Sequence, residues 1–176
     1  MTDIEPEHVL ALTTVFEGEL FTVYSEAVEL PKGGQVMREV VSHPSVVGML
    51  PILADGRIVL VRQYRLSTRK VLLEIPAGAV EKGEKPEDAA LRELAEETGY
   101  RAGSIEQISS FYTSPGYSNE YLYLYRVENL EAGLPTEHRE QIQVVKLTVD
   151  EAMERAKAGE VDDAKTLLAL QYAKQL

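Results

Sequence analysis

The chain has 176 residues, with 18 Lys+Arg against 29 Asp+Glu for a formal net charge of −11. At 44% apolar and 27% charged it reads as one globular domain or a domain with a small appendage, neither disordered nor embedded in a bilayer. Having no Cys excludes disulfides, thiolate nucleophiles and Cys-ligated metals, and His8, His43 and His138 are too scattered for a His-pair motif, so any metal would be held mostly by oxygen.

In chain order, residues 19–29 alternate partly between polar and apolar. After the turn signal Pro31-Lys32-Gly33-Gly34, Gln35 to Ser42 can pair back on them as a hairpin. Ser45 to Leu53 and Arg57 to Tyr64 flank Ala54-Asp55-Gly56 and are expected to form a second, buried hairpin. Val71 to Ile75 is a short strand, followed by Pro76 and a loop rich in Gly, Lys and Glu to Lys85. A helix is predicted over 86–98, with Pro86 in its first turn, Glu87 and Asp88 at the positive end of the dipole and Gly99 closing it. Leu91, Leu94, Ala95 and Thr98 give its expected buried stripe, opposite an acidic face. Ile105 to Phe111, Glu120 to Val127 and Gln141 to Leu147 read as strands. Thr148-Val149-Asp150-Glu151 is a capping-box pattern opening a helix to about Gly159, and Asp163 to Gln175 reads as a further helix. The expected class is α+β: a mixed β-sheet sandwiched between helices over residues 44–176, preceded by an N-terminal β segment over residues 1–43.

On the acidic helix, Glu93, Glu96 and Glu97 stand at i, i+3 and i+4, so three carboxylates share one side. Each like-charge pair costs an isolated helix roughly 0.2–0.5 kcal/mol. A bound hard cation would turn that penalty into a gain, and such a set suits Mg²⁺ or Mn²⁺, which share their coordination with water and phosphate oxygens. An acidic helix face is by itself commonly just solvated; the surrounding residues decide the matter here. Residues 78–100 read GAVEKGEKPEDAALRELAEETGY: Gly78, five residues, Glu84, seven residues, then Arg92-Glu93-Leu94, Glu96-Glu97, Gly99 and apolar Tyr100. This resembles the Nudix hydrolase box at every position. Gly78 lets the backbone pass close to a ligand, the loop returns Glu84 toward the helix, and Arg92 can hold Glu84 as a bidentate brace. The resemblance implies the Nudix fold, with Glu93, Glu96, Glu97 and the Ala77 carbonyl as metal ligands and Glu84 and Arg92 in support of catalysis. It also implies hydrolysis of a nucleoside diphosphate linked to another group, assisted by Mg²⁺ or Mn²⁺.

The likeness runs from about Glu19 to Gln171, and three stretches are similar to the ADP-ribose pyrophosphatase branch of that family. They are Leu73-Glu74-Ile75-Pro76-Ala77-Gly78, Tyr112-Thr113-Ser114-Pro115-Gly116, with Pro115 fifteen residues after Tyr100, and Asp163-Ala164-Lys165-Thr166. The implied reaction is cleavage of ADP-ribose to AMP and ribose 5-phosphate. The alternatives are another nucleoside diphosphate sugar such as GDP-mannose, or a noncatalytic ADP-ribose-binding sensor. Arg38 and Arg65 match substrate-contacting arginines of relatives, with Arg62 as a weaker candidate, and Gly78 and Pro115 border the same site. Phe16, Phe21 and Tyr24 are available to stack on a nucleobase. The loop Thr136-Glu137-His138-Arg139-Glu140 matches the acidic loop of relatives, leaving Glu137, Glu140 or His138 as the base. Members of the branch are typically homodimers joined through the N-terminal β segment, which is the expectation for residues 1–41.

The acidic balance leaves no basic excess to displace counterions from a phosphate backbone, so no nucleic-acid partner is expected. No apolar run approaches a spanning length and the first residues lack a signal-peptide layout; no membrane partner is expected and the cytoplasm is the default compartment.

Overall fold

Two consecutive glycines make the turn at residues 30–34 possible. Gly33 (φ 85°) and Gly34 (φ 94°) both take left-handed backbone, and the turn closes through Gly33 N–H to Leu30 O (2.8 Å) and Leu30 N–H to Gly34 O (2.9 Å). It joins β2 (Thr22–Glu29) to β3 (Gln35–Ser42) as the expected hairpin, with Thr22 opposite Ser42 through Glu29 opposite Gln35. The computed structural model describes residues 4–133 and 141–175 and adds a strand that was not foreseen, β1 (His8–Glu17), paired antiparallel with β2. All ten residues of β1 are exposed, and the run Val9-Leu10-Ala11-Leu12 lacks the polar–apolar alternation by which a half-buried strand is recognised. The chain divides into two compact units, Met1–Ser45 with Phe111–Tyr121, and Val46–Ser110 with Leu122–Leu176. In the first, Val41 donates to Tyr117 O (2.7 Å) and receives Asn119 N–H on its own carbonyl (3.2 Å).

The remaining elements are β4 (Val46–Pro51), β5 (Ile58–Arg65), β6 (Lys70–Glu74), β7 (Ala77–Ala79), α1 (Pro86–Thr98), β8 (Tyr100–Arg101), β9 (Ser104–Tyr112), β10 (Tyr121–Glu128), β11 (Glu131–Ala132), β12 (Ile142–Leu147), α2 (Val149–Lys157) and α3 (Ala164–Ala173). The expected hairpin across Ala54-Asp55-Gly56 is only a tip. Beyond the Ile52–Ile58 bridge the two strands part, β4 running between β7 and β10 and β5 between β12 and β6. The reason is legible in their burial: Val47, Met49 and Leu50 on β4 and Ile58 to Val61 on β5 are all 0% exposed. Strands buried on both faces read as continuous apolar runs, a pattern that does not name the pairing partner. β4 pairs parallel with β10 and antiparallel with β7, so the sheet that carries the site is mixed.

α1 begins and ends where its sequence says, with Pro86 in the first turn and Gly99 at φ 70° donating to Ala95 O (2.9 Å). Its inward face differs from expectation. Ala89, Ala90, Leu94, Glu97 and Thr98 are buried while Leu91 and Ala95 are only half-buried, so the packed stripe is rotated and takes in one of the acids. Leu94 joins Val47, Met49, Ala89, Ala90, Tyr125 and Val127 in a core cluster. Truncating it to alanine would cost about 2–5 kcal/mol. α2 carries both halves of its capping box, Glu151 N–H to Thr148 Oγ1 (3.2 Å) and Thr148 N–H to Glu151 Oε2 (2.8 Å). α3 is capped by Asp163, whose carboxylate accepts from Thr166 N–H (3.0 Å). No helix among the described residues is long and apolar enough to cross a membrane.

Candidate active site

Polar side chains buried in a protein interior need a reason, because desolvation opposes them. Among the described residues the buried polar side chains are Glu74, Glu97, Thr98 and Thr166. Three of the four border one short stretch, from the end of β6 to the start of β7. Ile75 N–H donates to Thr166 Oγ1 (2.8 Å) and Ala77 N–H to Glu97 Oε2 (3.0 Å), while Glu74 lies in the stretch itself.

The pairing of β7 with β4 sets Ala77-Gly78-Ala79 against α1. A Cβ on Gly78 would stand 2.0 Å from the carboxyl carbon of Glu93, so this position has to be glycine for the strand and the acid to meet. Burial pushes the Glu97 carboxyl up to about 7; the Ala77 N–H opposes the rise and the charge of Glu93 adds to it. Burial also raises Glu93, against the pull of Arg92. Two adjacent carboxylates are thus held largely out of water.

Arg92 organises the turn. Its Nε and Nη2 form a fork on Glu84 (both 3.0 Å), Nη2 also reaches Ala79 O (3.0 Å), and Nη1 reaches Glu93 Oε1 (2.7 Å) with Glu96 Oε2 further off at 3.4 Å. The fork from Arg92, with Glu81 N–H beside it, holds Glu84 below the usual carboxylate range. One guanidinium therefore ties the loop before α1, the β7 backbone and the acids of α1 into one piece.

Among the described residues no three Asp, Glu or His side chains converge tightly enough to hold an ion. Glu93 turns to Arg92, Glu97 to the Ala77 amide, and the side chain of Glu96 is 45% exposed. The donor set fits a hard divalent cation all the same. It is made of carboxylate oxygens on one helix turn, and two of the three are desolvated with their charge resisted by the surroundings, a condition that a cation relieves.

Beside Glu97, Glu74 is 1% exposed and accepts three charged hydrogen bonds: Arg65 Nε (2.9 Å), Arg65 Nη2 (2.8 Å) and Lys165 Nζ (2.6 Å). Burial pushes its carboxyl up, and these two cations outweigh burial and leave it below the usual range. Arg62 is exposed on β5. Of the other residues expected at the site, Arg38 forks onto Glu7 (3.1 and 2.6 Å) in the first unit. Pro115 sits in a turn of that unit, where Ser114 O accepts from Tyr117 N–H (3.2 Å) and Ser118 N–H (3.0 Å). Phe16 and Phe21 pair there with ring centroids 5.8 Å apart. Glu137, His138 and Glu140 lie outside the described residues.

The NUDIX domain family matches residues 42–170, most of the chain. This protein belongs to the Nudix family. As a Nudix hydrolase it is 41% identical over 169 residues to an ADP-ribose pyrophosphatase of Bacillus subtilis (strain 168), covering 94% of this chain and 91% of that one. It is 40% identical over 171 residues, with the same coverage, to a methanol dehydrogenase activator of Bacillus methanolicus. Among solved structures, an ADP compounds hydrolase superposes with a TM-score of 0.88 over 99% of this chain and 96% of that one, at 24% identity, which speaks for the fold.

Glu74 and Lys165 are polar residues of this Nudix unit that sequence reasoning did not assign to the site. The signal was available for Glu74, a lone charge in the apolar run Leu72-Leu73-Glu74-Ile75. Lys165 lies in the family-like stretch Asp163-Ala164-Lys165-Thr166, but its pairing with Glu74, 91 residues away, has no local signal.

Proposed function

We propose that this Nudix hydrolase cleaves ADP-ribose to AMP and ribose 5-phosphate with Mg²⁺ or Mn²⁺. The similarity to an ADP-ribose pyrophosphatase over 94% of the chain carries the choice of substrate. The reaction class is supported by the buried carboxylates of Glu93 and Glu97 packed on β7. Glu93, Glu96, Glu97 and the Ala77 carbonyl would hold the cation. When bound, it supplies neutralisation of the diphosphate charge and a more acidic water.

The chain's own residues supply the geometry. Ala77 N–H engages Glu97 Oε2 and leaves its other oxygen for a ligand. Arg92 fixes Glu93 and, through Glu84, the loop before α1. Arg65 presents a guanidinium to a phosphate, and Arg38, Gly78 and Pro115 are the further substrate-binding residues of this reading. The base comes from the loop containing Glu137, His138 and Glu140. The same reading has the enzyme act in the cytoplasm as a homodimer through the N-terminal sheet, a role supported by the exposed Val9, Leu10, Leu12, Val15 and Phe16 of β1.

The test is a panel of nucleoside diphosphate derivatives with Mg²⁺, Mn²⁺ or EDTA, scored by the nucleoside monophosphate released. AMP from ADP-ribose, abolished by EDTA, is expected. Preferred release of GMP from GDP-mannose would move the substrate, and turnover that persists in EDTA would remove the metal.

A further inference from the structure

We propose that Lys165 is a positioning residue for Arg65, acting through the buried carboxylate of Glu74 to hold the guanidinium ready for a substrate phosphate. The inference rests on the reading of Arg65 as the phosphate contact and extends it to the first turn of α3.

A free arginine on a strand samples many rotamers, and only a fixed fork delivers its donors to a phosphate without an entropic cost at binding. Here the fork is fixed from behind. Glu74 takes Nε and Nη2 of Arg65 on its two oxygens, leaving Nη1 without a partner among the described residues. A carboxylate can present that fork only if it is itself held. Lys165 does this by donating Nζ to Glu74 Oε2, and Lys165 is held in turn by Asp163 Oδ1 (2.9 Å). Side-chain exposures of 38% for Arg65, 15% for Lys165 and 1% for Glu74 run from surface to interior, as expected of a group pinned from beneath.

The same turn grips the backbone. Asp163 caps α3 and accepts from Thr166 Oγ1, which takes the N–H of Ile75, two residues before the amide that holds Glu97. The start of α3 is thus bonded to the last residue of β6 and to the first residue of the link that leads to β7. A helix turn serving packing alone would need no ammonium beneath that strand. An ammonium at 2.6 Å from a buried carboxylate already engaged by an arginine is an arrangement for orientation.

The test is a double-mutant cycle on the full chain: wild type, Lys165→Met, Arg65→Ala and the pair, assayed on whichever nucleoside diphosphate sugar the wild type cuts fastest, with melting temperatures alongside. Lys165→Met is expected to raise KM about tenfold, and Arg65→Ala to raise it at least as much. The double variant should be no worse than Arg65→Ala, because Lys165 acts only through that arginine. Lys165→Arg should restore most of the loss. If Lys165→Met does not fold, Lys165→Gln keeps one donor to Glu74 and should fall between. Losses that multiply in the double variant, or an unchanged KM with only a lowered melting temperature, would overturn the proposal by making Lys165 purely structural. So would an Arg65→Ala enzyme with wild-type kinetics. Failure of the ADP-ribose reading shows separately, as no AMP from wild type while another diphosphate is cut, and the cycle then runs on that substrate.

Discussion

Two arginine–glutamate forks in this molecule share their geometry and differ in setting. Arg38 on Glu7 lies in the N-terminal sheet with side chains 49% and 37% exposed, where water solvates either partner if the other leaves. Arg65 on Glu74 lies beside α1 with the carboxylate 1% exposed and a second cation on it. The contrast extends to the sequence around them. The N-terminal sheet turns Val9, Leu12, Val15 and Phe16 outward, whereas the Nudix unit buries its apolar residues and some charges with them. Like contacts therefore differ in energy: in the sheet water can replace either partner, whereas a buried carboxylate that loses its cations is left uncompensated.

The comparison is sharpened first by Glu97→Gln. Turnover is expected to fall by more than about 100-fold with the fold intact. The same variant tests the burial argument in EDTA. Burial raises the folded-state pKa of Glu97 to about 7, above its value of 4.5 when unfolded. The associated stability is therefore present below pH 4.5 and lost as pH rises through 7, so the metal-free wild type should lose melting temperature over that window and Glu97→Gln should lose less. Equal slopes would show Glu97 to be solvated.

Gly78→Ala comes next. Its methyl would stand 2.0 Å from the Glu93 carboxyl carbon, and because that is the end of a flexible side chain, Glu93 should swing away. Activity is expected to drop about 100-fold, as for displacements on the order of 1 Å at a reacting centre, with little change in melting temperature. Full activity would mean that Glu93 need not lie there.

The two forks can then be cut directly. Glu74→Gln leaves two cations facing a neutral amide beneath the surface and should cost about 3 kcal/mol in urea unfolding. It should also raise stability relative to wild type as pH falls through the depressed Glu74 pKa, where wild type loses this contribution and the amide does not. Glu7→Gln should leave melting temperature unchanged. A larger effect for Glu7 than for Glu74 would reverse the comparison.

Much of the fold was readable because some residues act locally. Pro86 and Gly99 bound α1 to the residue, and Thr148 with Glu151 announces α2, since caps are short-range hydrogen bonds. The box from Gly78 to Tyr100 likewise carries its own geometry, in which Arg92 reaches Glu84 across one turn and a loop. What could not be read depends on distant partners. β4 and the first half of β5 look like a hairpin because each is a continuous apolar run, and their true neighbours β10 and β12 lie far along the chain. β7 is three residues long, too short for any period to register. Glu97 belongs by spacing to an acidic face, yet it is buried because β7 lies over it, which no helical wheel contains.

The bonds from Glu74 to Lys165 and from Ile75 to Thr166 each join positions 91 apart in the chain. Closing so long a loop is entropically slow compared with winding a helix or a turn. When the denatured chain is diluted into buffer, helical circular dichroism should therefore return before catalytic competence does, and the delay would time the docking of α3 beneath the strand.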